Sequence, residues 1–119
     1  MTRKEALAKL IAAVEAGAFD GVPVKYNAFA RAWEAAFGSY YEPNFTGPLS
    51  AYSGSLDAAK ALHKAVLPEC AYVISHRASE IYVFVQKGER KKWHEGVDRC
   101  PARAWLLAIL RALHTQKQS

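Results

Sequence analysis

His94-Glu95 is the pair whose residue types most invite a chemical reading. A zinc-protease helix needs a second histidine four residues after the first, so that both ligands share one helical face; here that position is Asp98. A zinc deaminase needs H-x-E together with P-C-x-x-C, but Cys100-Pro101 reverses the order and no second cysteine follows. Two cysteines and four histidines, with no C-x-x-C or H-x-x-x-H spacing, assemble no zinc pattern. Neither a metal nor any other cofactor is expected.

Cys100 offers a second chemistry. It precedes Pro101 at an expected helix start, where backbone amides favour a thiolate, and Arg99 and Arg103 flank it. Thiol chemistry would also need a base or a resolving thiol, for which His94 and Cys70 are the candidates. The plainer reading makes Cys100 a small, partly buried residue at a helix start, and both cysteines thiols in a reducing compartment. No G-x-S-x-G elbow, phosphate-binding glycine loop or paired-carboxylate signature appears. The chain reads as a non-enzyme.

The third chemistry is electrostatic. Lys87, Arg90, Lys91, Lys92, His94, Arg99 and Arg103 fall on a turn, a strand and a helix start expected to converge at one end of a sheet. Trp93 lies among them, and cations interleaved with aromatics suit phosphate contact plus base stacking. Strand alternation sets Trp93 opposite Lys92 and His94, which gives a competing expectation that Trp93 faces the core. Tyr40, Tyr41, Phe45 and Tyr52 form a second candidate surface, on a stretch rich in turn formers. The alternative is an ordered loop packed over the core, since most rings in small domains are spent on packing.

The elements that must position these residues follow from periodicity. Thr2 and Glu5 form a capping box ahead of Leu7, Leu10, Ile11 and Val14, one apolar helical stripe that Gly17 ends. Asn27 is the expected cap of a second helix over Ala28–Phe37, with Phe29, Ala32, Trp33 and Ala36 on one face. The stretch from Gly38 to Gly54 reads as irregular. Ser55 caps a helix carrying Leu56, Ala59, Leu62 and Val66, with His63 at its margin as a boundary residue. Ala71–His76 and Glu80–Lys87 alternate as a hairpin, and Lys92–Glu95 returns as a short third strand. The second strand is apolar on both faces, which predicts a central strand covered on each side. Pro101 then opens a helix whose Leu106, Ile109, Leu110 and Leu113 supply much of the core.

The chain's 119 residues make one domain, 1–119, comprising a helical part (1–50) and a helix–hairpin–strand–helix block (52–119). With 51% hydrophobic and 23% charged residues it has the balance of a globular fold. No apolar run of membrane-spanning length and no signal peptide is present, so a cytoplasmic location is expected. Net charge is +5 and unevenly placed: residues 1–70 hold seven Lys/Arg and seven Asp/Glu, residues 71–119 nine and four. That asymmetry marks either a surface for an anionic partner or a solvated basic face, and the +5 balance argues against imitation of DNA.

Tyr52-Ser53-Gly54-Ser55-Leu56-Asp57-Ala58-Ala59, Leu67-Pro68, the aromatic hairpin, and Pro101-Ala102-Arg103-Ala104 leading into Leu106, Leu107, Leu110 and Leu113 occur here in that order. In this the block resembles the phage ABA sandwich family of small phage- and prophage-encoded proteins. The resemblance covers a little over half of the chain. It implies an α+β fold, an alpha-beta-alpha sandwich of about three antiparallel strands with helices packed around them. It also implies an accessory role inside a bacterial host, and it supplies no catalytic residues. The longer aromatic loop at 38–51 and the basic turn at 87–92 depart from the family pattern. The expected function is a non-enzymatic binding module for a host or phage protein. Nucleic-acid or nucleotide binding through the basic residues is the alternative, and a self-associating homo-oligomer through exposed sheet edges is the third reading.

Overall fold

The computed structural model describes residues 2–20, 25–39, 47–87 and 92–116. Thr2 caps α1 (Arg3–Glu15): its hydroxyl accepts the Glu5 amide at 3.1 Å and donates to the Glu5 carboxylate at 3.2 Å. The stripe Leu7, Leu10 and Val14 is buried. Gly17, at φ +68°, ends the helix in the left-handed conformation that glycine adopts without strain.

α2 (Lys25–Phe37) begins before the expected Asn27 cap, which therefore sits inside its first turn. Stretch 38–54, read as irregular from its turn formers, contains a one-turn helix, α3 (Pro48–Tyr52). Pro48 at its first position was the available signal. α4 (Leu56–Val66) starts where Ser55 predicts, with the Ser55 hydroxyl accepting the Ala58 amide at 3.1 Å.

β1 (Ala71–Arg77), β2 (Glu80–Lys87) and β3 (Lys92–Asp98) form one antiparallel sheet in the order β1-β2-β3. β3 runs three residues further than its sequence predicts, to Asp98. Asp98 Oδ1 then accepts the Cys100 amide at 2.9 Å, turning the chain into α5 (Pro101–Gln116).

The class is α+β, with helices packed on a three-stranded antiparallel sheet. The layers, however, are stacked in another order than coverage of β2 on both faces requires. α5 is buried continuously from Ala104 to Leu110. A helix apolar around its whole circumference must be covered all round, and α5 packs on β2 and β3 along one side and on α1, α3 and α4 along the others. The central layer is thus α5, and the sheet lies outside it. Val83 and Val85 meet α5 and are fully buried, while on the reverse of β2 Tyr82 and Phe84 are only half-buried.

Gly96 permits a close approach of strand and helix. A Cβ there would overlap the Ala104 carbonyl oxygen and fall 2.6 Å from the Ala108 nitrogen. β3 therefore rests directly on the backbone of α5, a contact open only to glycine.

Candidate functional site

Register places every residue of the sheet on one face or the other. The set shared with Val83 and Val85 includes His94 and Gly96, and it faces α5. The other set pairs Val73 with Phe84 and Glu95, Ser75 with Tyr82 and Val97, and Gln86 with Trp93. On that face Val73 is 48% and Trp93 45% exposed. Among the described residues, Val73, Phe84 and Trp93 line an open recess of about 320 Å³. Tyr82 and Phe84 stack two residues apart at 6.4 Å, and the Arg77 guanidinium lies 5.2 Å from the Tyr82 ring. An apolar, aromatic face open to water is what marks a contact surface on a small domain.

The expectation that Trp93 faces the core is reversed: alternation holds, but it is His94 that turns under α5, 7% exposed. His94 and Glu95 lie in a strand and on opposite faces, so they share no site. Among the described residues no three His, Cys, Asp or Glu side chains gather.

Among the described residues, Lys87 and Lys92 lie at one end of β3 and Arg99 and Arg103 beyond its other end. Lys92 opens β3, and Arg99 follows its other end, about 20 Å away at ~3.3 Å per residue. Lys87 and Lys92 are register partners in the alternation of Val85 and His94, not that of Trp93. Arg90, Lys91, Tyr40, Tyr41 and Phe45 lie outside the described residues. Arg99 is exposed at the start of the turn into α5.

Arg103 and Tyr52, each a candidate for a binding surface, hold the helices together instead. The Arg103 guanidinium donates to Asp20 Oδ1 at 2.9 Å and through Nε to the Tyr52 carbonyl at 3.1 Å, and it stacks 4.0 Å over the Tyr52 ring. Tyr52, 2% exposed, donates its hydroxyl to Asp20 at 2.7 Å and accepts the Phe19 amide at 3.1 Å. Its ring packs edge-on against Phe19 and tilted against Phe29. Burial, then the bond to Asp20, pushes the phenol up to about 12.

His63 is buried rather than marginal. Trp105 Nε1 donates to its Nδ1 at 3.1 Å, so the proton sits on Nε2, which donates to the Cys70 carbonyl at 2.8 Å. This neutral tautomer ties α5, α4 and the start of β1 together. Cys70 and Cys100 are free thiols packed at the edge of the core.

Fold and face together define an α+β domain with one apolar sheet face left open among its described residues. No protein-family model, curated protein or solved structure matches the chain.

Proposed function

We propose that the protein is a non-enzymatic binding module, a small phage or prophage accessory protein that contacts a host or phage protein in the bacterial cytoplasm. The observation that carries this reading is the open sheet face, where Val73 and Trp93 stand half-exposed around an apolar recess. A large apolar side chain kept in water contributes little to the fold, whereas aromatic anchors of this kind carry most of the energy of protein contacts. No helix among the described residues is long and apolar enough to cross a membrane. The phage setting rests on the order of sequence pieces from Tyr52 to Leu113.

The reading is tested by tagged pull-down from infected host cells, with and without nuclease, comparing the native chain with Val73→Glu. The expected outcome is a protein retained after nuclease treatment and lost with Val73→Glu. Retention unaffected by Val73→Glu overturns the reading. Nucleic-acid binding is the second reading, favoured by the outward indole of Trp93. It expects salt-sensitive affinity for a single-stranded oligonucleotide that falls when Arg90, Lys91 and Lys92 lose their charge.

A further inference from the structure

Resting on the reading of the open face as a docking surface, we infer that its occupant is an amphipathic helix of a partner protein, which supplies in trans a layer over the side of β2 that the described residues leave open. The helix carries a bulky apolar side chain for the recess and a Lys or Arg on its β3-side flank.

Dimensions carry the first part. Three strands at ~4.8 Å spacing and seven residues at ~3.3 Å give a face about 14 Å wide and about 20 Å long. That is the footprint of one helix of three to four turns, about 10 Å across and about 20 Å long. In plan the face covers roughly 300 Å². Two copies would bring together chains that each carry +5. An added strand would pair at the edge of β1 or β3 and leave the recess between Val73, Phe84 and Trp93 unfilled.

Charge carries the second part. Among the described residues at the register positions of this face, the one cation is Arg77, whose guanidinium lies over Tyr82. Glu95 is exposed beside Phe84, and Glu80 closes the hairpin opposite Arg77. A polyphosphate backbone crossing the face would meet these carboxylates. A helix with a basic flank complements Glu95 while its apolar stripe covers Val73 and Trp93.

The test is selection from a random peptide display library on the purified protein, with counter-selection on Val73→Glu, followed by binding measurements on the enriched peptides. The expected enrichment is apolar residues at i, i+3, i+4 and i+7 with Lys or Arg on one flank. Affinity should fall at least tenfold with Val73→Glu and three- to fivefold with Glu95→Lys, and return when the flank of the peptide is changed to Glu. Thermal unfolding of both variants shows that they remain folded. Enrichment of alternating, extended or acidic sequences overturns the helix, as does no enrichment. So does a dimer in sedimentation that Val73→Glu dissociates, or an oligonucleotide competing for the face. The two readings separate: a partner captured from cells and lost with Val73→Glu, without helical peptides, defeats the helix but keeps the face. Capture indifferent to Val73→Glu defeats the face itself.

Discussion

At the scale of single residues, the groups that look reactive in the chain are mostly occupied in holding it together. Tyr52 is the clearest case, because its ionisation is coupled to folding. Its phenol is raised from 10.0 to about 12, so the neutral form is the one the fold favours. The associated stability is fully present below pH 10 and is lost as pH rises from 10 towards 12, when the unfolded chain releases its proton first. Two pH units correspond to about 3 kcal/mol as an upper figure. Denaturant titrations between pH 8 and 12 should show this loss, and Tyr52→Phe should flatten that part of the profile while lowering stability at neutral pH. Gly96→Ala acts through sterics alone. With the Ala104 carbonyl in the way, the sheet must lift off α5, at a cost of about 3 kcal/mol in chemical denaturation. A loss below about 1 kcal/mol would mean that strand and helix are not in backbone contact.

Elements are joined here by caps and turns of differing quality. Ser55 accepts the Ala58 amide ahead of α4, and Ser55→Ala should lower stability by about 1 kcal/mol at equilibrium unfolding. The β1–β2 hairpin is less well made. Ala78 takes φ +54° at the first central position of its two-residue turn, where the Cβ of an L-residue crowds the backbone. Ala78→Gly should therefore raise the free energy of unfolding by about 0.5–1 kcal/mol, despite the greater freedom glycine adds to the unfolded chain. No gain would mean that the turn relaxes out of the left-handed region. The same hairpin carries Val73 and Phe84 to the open face, so its register decides which side chains partners meet.

For the whole molecule, the decisive arrangement is that α5 occupies the middle and the sheet the outside. The three tryptophans report on it differently: Trp33 and Trp105 are buried and Trp93 is 45% exposed. Acrylamide quenching should consequently be dominated by one accessible component that disappears in Trp93→Phe, with stability changed by less than about 0.5 kcal/mol as for other exposed positions. A quenching curve unchanged by Trp93→Phe would mean that the face is covered.

Much of the fold was legible in local pattern. The capping box at Thr2, the serine cap at Ser55, Pro101 and the alternation of Glu80–Lys87 each specify an element through interactions within a few residues, and the elements stand there. Local signals failed where a neighbour distant in sequence decides. Both faces of β2 are apolar in sequence, and nothing in that alternation says that α5 takes the Val83–Val85 side and leaves Phe84 to water. Trp93 and His94 exchanged places for the same reason, since a period of two fixes that they part but not which of them is buried. Arg103 read as a free cation because Asp20, its partner, is 83 residues away. By itself, then, the chain determined all of its described elements but the one-turn α3, its class and the residues able to line a face. Tertiary structure alone chose the face, because burial is settled by packing between segments that periodicity cannot see.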